Sequence, residues 1–483
     1  MKEEKGFKSR IGFILAAAGS AVGLGNLWAF PFKAGMNGGA AFVLIYIIMA
    51  VLIGFVAMVA EMYIGKRTGM NIIDSYKSVS PKLTWVGALG VCATSIIASY
   101  YIVLGGWVLK YCVSFLMGSS LSIAGSYEAY FTQFSQGSWE PIMYMAIFFL
   151  LAMLILVFGV QNGIERVSKV LMPLLFILMI VLMVKSLTLG DGVIDGILFY
   201  IKPDFKNLTG SAVLTAMGQA FFSLSLGVGT MCTYGSYAHS HKGLHKSAIS
   251  VIVLDTLVAL ISGFIIFPAV FAFNKTPAGG PGLFFIVLPE IFDNMMMGRF
   301  FGFLFFFLVF IAAITSIISM VEVALQTTVE KTRIKRPQAV ILFTVLILGL
   351  GCLVSLSQGF VKGLQINGIE LLTFFDTIIS QYLMPLGTIA CCVIVGWLIS
   401  KDEIDQAFND FKYRHIWLFF AKYITPILVG VIFFFGVFSF TGGFHLVNDW
   451  TMLLVLGLVI VLFPLINIIH IYYRRHKDNI EIY

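Results

Sequence analysis

Two short glycine-rich stretches and one carboxylate are the residues of this chain best placed to do chemistry. The first stretch, 19–26, holds Gly19, Gly23 and Gly25 among Ser20, Ala21, Val22, Leu24 and Asn26. The second, 222–229, runs from Phe222 through Ser223, Ser225, Gly227 and Val228 to Gly229. Each lies inside an apolar run. Glycine weakens a helix by about 1 kcal/mol relative to alanine, so both runs are predicted to break there. A broken helix offers N–H groups to an anion at a half-helix N-terminus and frees carbonyls for a cation. Ser20, Asn26, Ser223 and Ser225 add neutral oxygens at the same places. Close packing through small residues would account for one such stretch. Two of them, five apolar runs apart, point to an ion-binding cavity, the setting in which unwound backbone survives in lipid. The carboxylate is Asp255, deep inside another apolar run, where a charge is costly and marks function by default.

The elements that must position these groups are membrane helices. The chain has 483 residues, of which 59% are hydrophobic and 11% charged, with a mean hydropathy of +0.97. A soluble domain carries roughly 25% charge, so a soluble enzyme, a nucleic-acid binder and a disordered chain are all excluded. A spanning helix needs about 20 mostly apolar residues. Twelve runs qualify: 11–33, 40–65, 84–116, 141–159, 167–188, 212–238, 246–273, 298–329, 338–357, 370–399, 415–440 and 449–473. Most of the 31 basic residues fall in loops on one side, including Lys66, Arg67, Arg166, Lys331, Arg336 and Arg414. The loop 117–140 on the other side carries Glu128 and Glu140 but no base. Positive loops stay inside, so both termini are expected in the cytoplasm of a multi-pass cell-membrane protein.

Spans 1–5 and 6–10 then form two halves, 11–188 and 212–399, each opened by a broken helix. An odd number of spans inverts the second half relative to the first. Two further helices occupy 415–473, with short tails at 1–10 and 474–483. The fold expected is an all-α membrane protein of twelve transmembrane helices with a 5+5 inverted repeat, helices one and six unwound. The six cysteines form no CxxC pair, so no disulfide framework or metal site is indicated. His239, His241 and His245 read as a solvated loop. Asn207 and Asn274 begin glycosylation sequons. No nucleophile–base cluster points to an enzyme, and nothing calls for an organic cofactor or a nucleic-acid partner.

The run 10–28, RIGFILAAAGSAVGLGNLW, followed by Phe30-Pro31 and Asn37-Gly38-Gly39, closely resembles the first span of neurotransmitter:sodium symporters. Ser99-Tyr100-Tyr101, the run 219–229 and Ala312-Ala313-Ile314-Thr315-Ser316 resemble spans three, six and eight of that family, in particular its prokaryotic amino-acid transporter branch. The resemblance covers essentially the whole chain and implies sodium-coupled amino-acid symport by alternating access. It implies two sodium sites. One would use Ala21, Asn26, Ser223 and a carboxylate of the substrate, with Asp255 where the family usually has an amide. The other would use Gly19, Val22, Ala312, Thr315 and Ser316; the last three are spaced i, i+3, i+4, so one helix face can supply them. Asp255 could also supply the negative charge that animal members take from chloride, which predicts chloride-independent transport.

The substrate pocket implied by the resemblance comprises Ala21, Gly23, Leu24, Gly25, Ile97, Tyr101, Phe222, Ser223, Ser225, Val228, Ser316 and Met320. Leu24 and Gly25 amides with the Tyr101 hydroxyl would hold a carboxylate; carbonyls of Ala21, Phe222 and Ser223 would hold an ammonium. Gly23 stands where monoamine carriers have an aspartate, so the substrate should bring its own carboxylate. Ile97, Val228 and Met320 leave the side-chain end apolar. A neutral, hydrophobic or aromatic L-amino acid follows. Tyr101 and Phe222 are the expected inner lid, and Tyr237 and Glu330 the expected cytoplasmic gate. The family's outer arginine and acid are replaced by Ala29 and about Ile379, with Lys33 and Asp376 the nearest charges; its N-terminal arginine is replaced by Glu4, beside Lys5. The competing reading is a sodium-sensitive receptor that binds an amino acid without moving it. It is disfavoured by tails too short for a signalling domain. A channel is disfavoured by the lack of a charged ring.

Overall fold

The computed structural model describes residues 6–205, 208–238, 243–277, 283–332, 334–366 and 369–440. Among the described residues the chain is helical, with isolated bridges at Ile123–Ser126 and Ile366–Ile369 and no strand. Nine helices there are long and apolar enough to cross a bilayer. They are Ala40–Thr68, Pro81–Met117, Glu140–Val157, Val160–Leu187, Leu244–Ala272, Gly298–Thr332, Arg336–Leu356, Leu371–Leu398 and Arg414–Phe434, here spans two to five and seven to eleven. Span one is a bent pair, Arg10–Ala21 and Gly25–Met36, meeting at 50°. Span six is split into Gly210–Ser223 and Thr230–Tyr237. Span twelve, expected at 449–473, lies outside the described residues, as do Glu4, Lys5, Asn207, His239 and His241.

Both breaks fall where the glycines predict them. The first half of span one ends at Ala21, and Val22 turns extended (φ −70°, ψ 108°). Span six loses its helix from Leu224 to Gly229, with Ser225, Gly227 and Gly229 at φ +52°, +78° and +85°. Only glycine takes such a φ without steric cost. A Cβ on Gly227 would also stand 2.1 Å from the Met384 carbonyl oxygen. Span five starts at Val160 rather than at 167, because Gly159 (φ +76°) ends span four and a wider helical turn follows at once.

Small residues then let the backbones close on each other, as they do where apolar helices pack without a hydrophobic drive. A Cβ on Gly65 would lie 1.8 Å from the Cys232 carbonyl oxygen, and one on Gly235 would lie 2.2 Å from that of Met62. Span two thereby grips the second half of span six. Glu61 of span two completes the contact: its Oε2 accepts the Gly227 N–H at 2.9 Å, at the head of that half-helix. A carboxylate there complements the exposed N–H groups. Among these nine helices span eight is the most enclosed, 83% buried along its apolar stretch. Its mid-span polar residues Thr315, Ser316, Ser319 and Glu322 are buried and face other helices.

Candidate functional site

The two breaks face each other. Asn26 Nδ2 donates to Ser223 Oγ at 2.8 Å, and Ser225 Oγ donates to the Ser20 carbonyl at 3.2 Å. Asp255 of span seven joins them. It is fully buried and accepts from Asn26 Nδ2 at 2.8 Å, from Ser223 Oγ at 2.9 and 3.0 Å, and from the Tyr46 hydroxyl at 3.2 Å. A buried charge survives only when paired or hydrogen-bonded, and three donors from three other spans satisfy this one. Asn26 Oδ1 faces the opposite way and accepts the Gly23 N–H at 3.1 Å. The sequence brought Asn26, Ser223 and Asp255 into view. It missed Tyr46 and Ser262, whose Oγ donates to the Asn26 carbonyl at 2.8 Å. Tyr46 is a polar group inside an apolar span and fails the same test that singled out Asp255.

A second cluster lies where span one leans on span eight. Ser316 Oγ donates to the Val22 carbonyl at 3.0 Å and lies 3.4 Å from the Gly19 carbonyl. Thr315 Oγ1 donates to the Ala312 carbonyl at 3.0 Å, and a Cβ on Gly19 would stand 3.2 Å from Thr315 Cβ. Ala312, Thr315 and Ser316 do share one buried face. The donor set is all oxygen, three carbonyls and two hydroxyls, which suits a hard monovalent cation such as sodium. The nearby contact of Ser20 with Ser319, 2.7 Å between Oγ atoms, tightens the same seam and was not anticipated.

Between the clusters, the Tyr101 hydroxyl accepts the Leu24 N–H at 3.2 Å. Gly23 sits beneath it with no room for a side chain: a Cβ would be 2.4 Å from Ser316 Oγ and 2.8 Å from the Tyr101 hydroxyl. Gly25 is covered by the Phe222 ring, with a ring carbon 3.1 Å from where a Cβ would stand. Ala21, Ile97, Val228 and Met320 are all buried in the same core. Thus the groups expected at the polar end of the pocket touch one another, and those expected at its other end are apolar.

Toward the face opposite the N-terminus, a cavity of about 420 Å³ stands above Phe222, lined among others by Trp28, Ala29, Phe32, Lys33, Phe222 and Asp376. Ile379 is fully buried and does not line it; Asp376, three residues earlier, does. Toward the N-terminal face the described residues of spans one, six and eight pack on one another. The Phe7 ring lies 5.6 Å from Tyr234 and 6.2 Å from Tyr237, and its N–H donates to the Tyr237 carbonyl at 3.1 Å. The Tyr237 hydroxyl donates to Glu322 at 2.6 Å, and Glu322 is held by both terminal nitrogens of Arg336. Glu330 sits on a different partner, the Asn71 N–H at 2.8 Å. The Tyr237 hydroxyl and the Glu330 carboxylate, both expected at the cytoplasmic gate, thus hydrogen-bond to different groups. Glu322, wholly buried in span eight, was the intramembrane acid left out of the sequence reading.

The comparisons agree with this architecture. The model of the sodium:neurotransmitter symporter family matches residues 4–133 and 127–477. An uncharacterized sodium-dependent transporter of Bacillus subtilis, YhdH, is 38% identical over 91% of this chain and 100% of its own length. One of Methanocaldococcus jannaschii is 30% identical over 89% of this chain and 90% of its own. The sodium-dependent nutrient amino acid transporter 1 of Drosophila grimshawi is 26% identical over 91% of this chain and 77% of its own. The crystal structure of MhsT in complex with L-phenylalanine superposes with a TM-score of 0.83 at 39% identity, covering 89% of this chain and 99% of that one. A helical membrane bundle broken at spans one and six, matched along nearly its full length, leads to one assignment: this chain belongs to the sodium:neurotransmitter symporter family, a family of secondary transporters and not of enzymes.

Proposed function

We propose that the chain imports a neutral, apolar or aromatic L-amino acid together with sodium, by alternating access and without chloride. The observation that carries this reading is the meeting of the two helix breaks. There, neutral oxygens gather at Val22 and Ser316, and a buried carboxylate gathers at Asn26 and Ser223. One sodium would take Gly19, Val22, Ala312, Thr315 and Ser316. The other would take Ala21, Asn26, Ser223 and Asp255, completed by the carboxylate of the substrate. That carboxylate would rest on the Tyr101 hydroxyl and the amides of Leu24 and Gly25, with the ammonium on carbonyls across the break. Gly23 offers no acid to replace a missing substrate carboxylate, which favours amino acids over amines. The L-phenylalanine bound to MhsT and the nutrient amino acid carriers of flies support that class.

Asp255 would make chloride unnecessary by supplying a fixed negative charge, and its protonation on the return step would export a proton. The halves 11–188 and 212–399 would rock about the shared site, with both termini cytoplasmic. A tenfold sodium gradient supplies about 1.4 kcal/mol and 100 mV of potential about 2.3 kcal/mol per charge. One sodium could thus accumulate a zwitterion several-hundred-fold, as roughly 3.7 kcal/mol allows. The test is uptake of a labelled amino-acid panel into proteoliposomes, with sodium or potassium outside and with chloride replaced by gluconate. Sodium-dependent accumulation that survives gluconate is expected. Sodium-dependent binding with no accumulation under any gradient would replace this reading by the receptor one.

A further inference from the structure

We propose that Lys33 and Asp376 are the pair that closes this chain on the face opposite its N-terminus, one helical turn outside the uncharged positions Ala29 and Ile379. This rests on the reading that the chain alternates its access. Lys33 lies four residues beyond Ala29 on the second half of span one, Gly25–Met36, which runs toward that face. Asp376 lies three residues before Ile379 on span ten, Leu371–Leu398, which runs away from it. At about 1.5 Å per residue both displacements are about one turn, and both point outward. A cation and an acid thus each stand about one turn outside those two positions, on two spans that line one cavity.

The two charges line one cavity directly above Phe222, near enough to attract each other but, among the described residues, without a salt-bridge contact between them. Each is held by a neutral group. Lys33 Nζ donates to Gln219 Oε1 at 2.8 Å and stands 5.9 Å above the Phe222 ring. Asp376 Oδ1 accepts from the Tyr100 hydroxyl at 3.0 Å. Gln219 in turn donates through Nε2 to the Gly25 carbonyl at 2.7 Å, so Lys33 is one side chain away from the broken backbone of span one. Closing the cavity expels its water. Two charges kept apart would then lose solvation with only neutral groups in contact, which opposes closure. Brought together across the cavity, they satisfy each other. Lys33 over the ring also holds Phe222 down on Gly25 when the pair forms.

The test uses the full-length chain carrying Thr215→Cys, a position on the cavity wall, with labelling of the chain lacking that substitution subtracted. Thiol labelling in liposomes is followed in potassium, and in sodium plus an equimolar mixture of the twenty L-amino acids. Closure is expected to slow labelling at least about tenfold, and Lys33→Met or Asp376→Asn to leave less than about threefold protection. The exchanged pair, Lys33→Asp with Asp376→Lys, is expected to restore most of the protection. Single variants that keep the full protection, or an exchanged pair that binds the mixture in sodium yet stays unprotected, would overturn the proposal. A parent chain with no sodium-dependent uptake at all would overturn the transport reading instead, so the two failures are separable.

Discussion

Replacing Asp255 by asparagine removes one charge and almost no volume, so its effect isolates the electrostatics of the site. A direct contact with Asp255 would bring the ion closer still, but even an ion held only by Asn26 Oδ1 would lie about 5 Å from the Asp255 carboxylate, since the amide nitrogen of Asn26 is 2.8 Å from Asp255 Oδ1, so this distance sets the smallest effect. At an effective dielectric of about 20, a unit charge at about 5 Å contributes about 3 kcal/mol. That corresponds to roughly a hundredfold in affinity. Asp255→Asn should therefore raise the sodium concentration for half-maximal uptake by about a hundredfold in gluconate medium. Chloride should recover part of the loss, because an anion entering among Tyr46, Ser223 and Asn26 would meet the same donors that now face the carboxylate. The assay is uptake into proteoliposomes against sodium concentration, with and without chloride. A sodium dependence within about threefold of the parent chain in gluconate would refute the reasoning, since no site near a fixed charge escapes Coulomb attraction.

Other changes read other parts of the structure. Gly23→Ala should abolish sodium-dependent binding while leaving the fold intact, because the new methyl would stand 2.4 Å from Ser316 Oγ, and scintillation proximity binding reads this directly. Glu322→Gln should lower stability, because it removes the carboxylate that accepts from both terminal nitrogens of Arg336 and from the Tyr237 hydroxyl inside the bundle, measured as a fall in thermal unfolding temperature in detergent. Asp74, in the helix Ile72–Val79 between spans two and three, pairs with Lys331 at 2.7 Å. Partial burial pushes its carboxyl up, but the hydrogen bonds from Lys331 and Asn71 and the charges of Lys331 and Lys77 outweigh this and hold it below the ordinary 3.8. A carboxyl lowered by folding stabilises fully above the unfolded value and loses that contribution as pH falls through the folded one. Asp74→Asn should accordingly cost less than about 1 kcal/mol at neutral pH, with the difference from the parent vanishing in unfolding measured below the ordinary carboxylate range.

Sequence alone determined the class of molecule and the places where its chain must break. Composition forces helices across a bilayer, since no other open-ended backbone satisfies its own hydrogen bonds there. The glycines at 19, 23, 25, 227 and 229 locate both breaks to within a residue or two, because backbone freedom is a local property. Asp255 announced itself by charge, and the spacing of Ala312, Thr315 and Ser316 fixed a shared face because a helix has one period. What only the tertiary structure decided is which polar groups meet. Tyr46 became a donor to Asp255 because span two crosses span seven at that height. Tyr237 donates to Glu322, which Arg336 in turn holds. Lys33 turned to Gln219, and Asp376 rather than Ile379 reached the cavity wall. Each of these depends on how helices far apart in the chain are rotated and stacked. Helix rotation follows from the packing of small residues such as Gly65 and Gly235 against neighbouring backbone, which no single span encodes by itself.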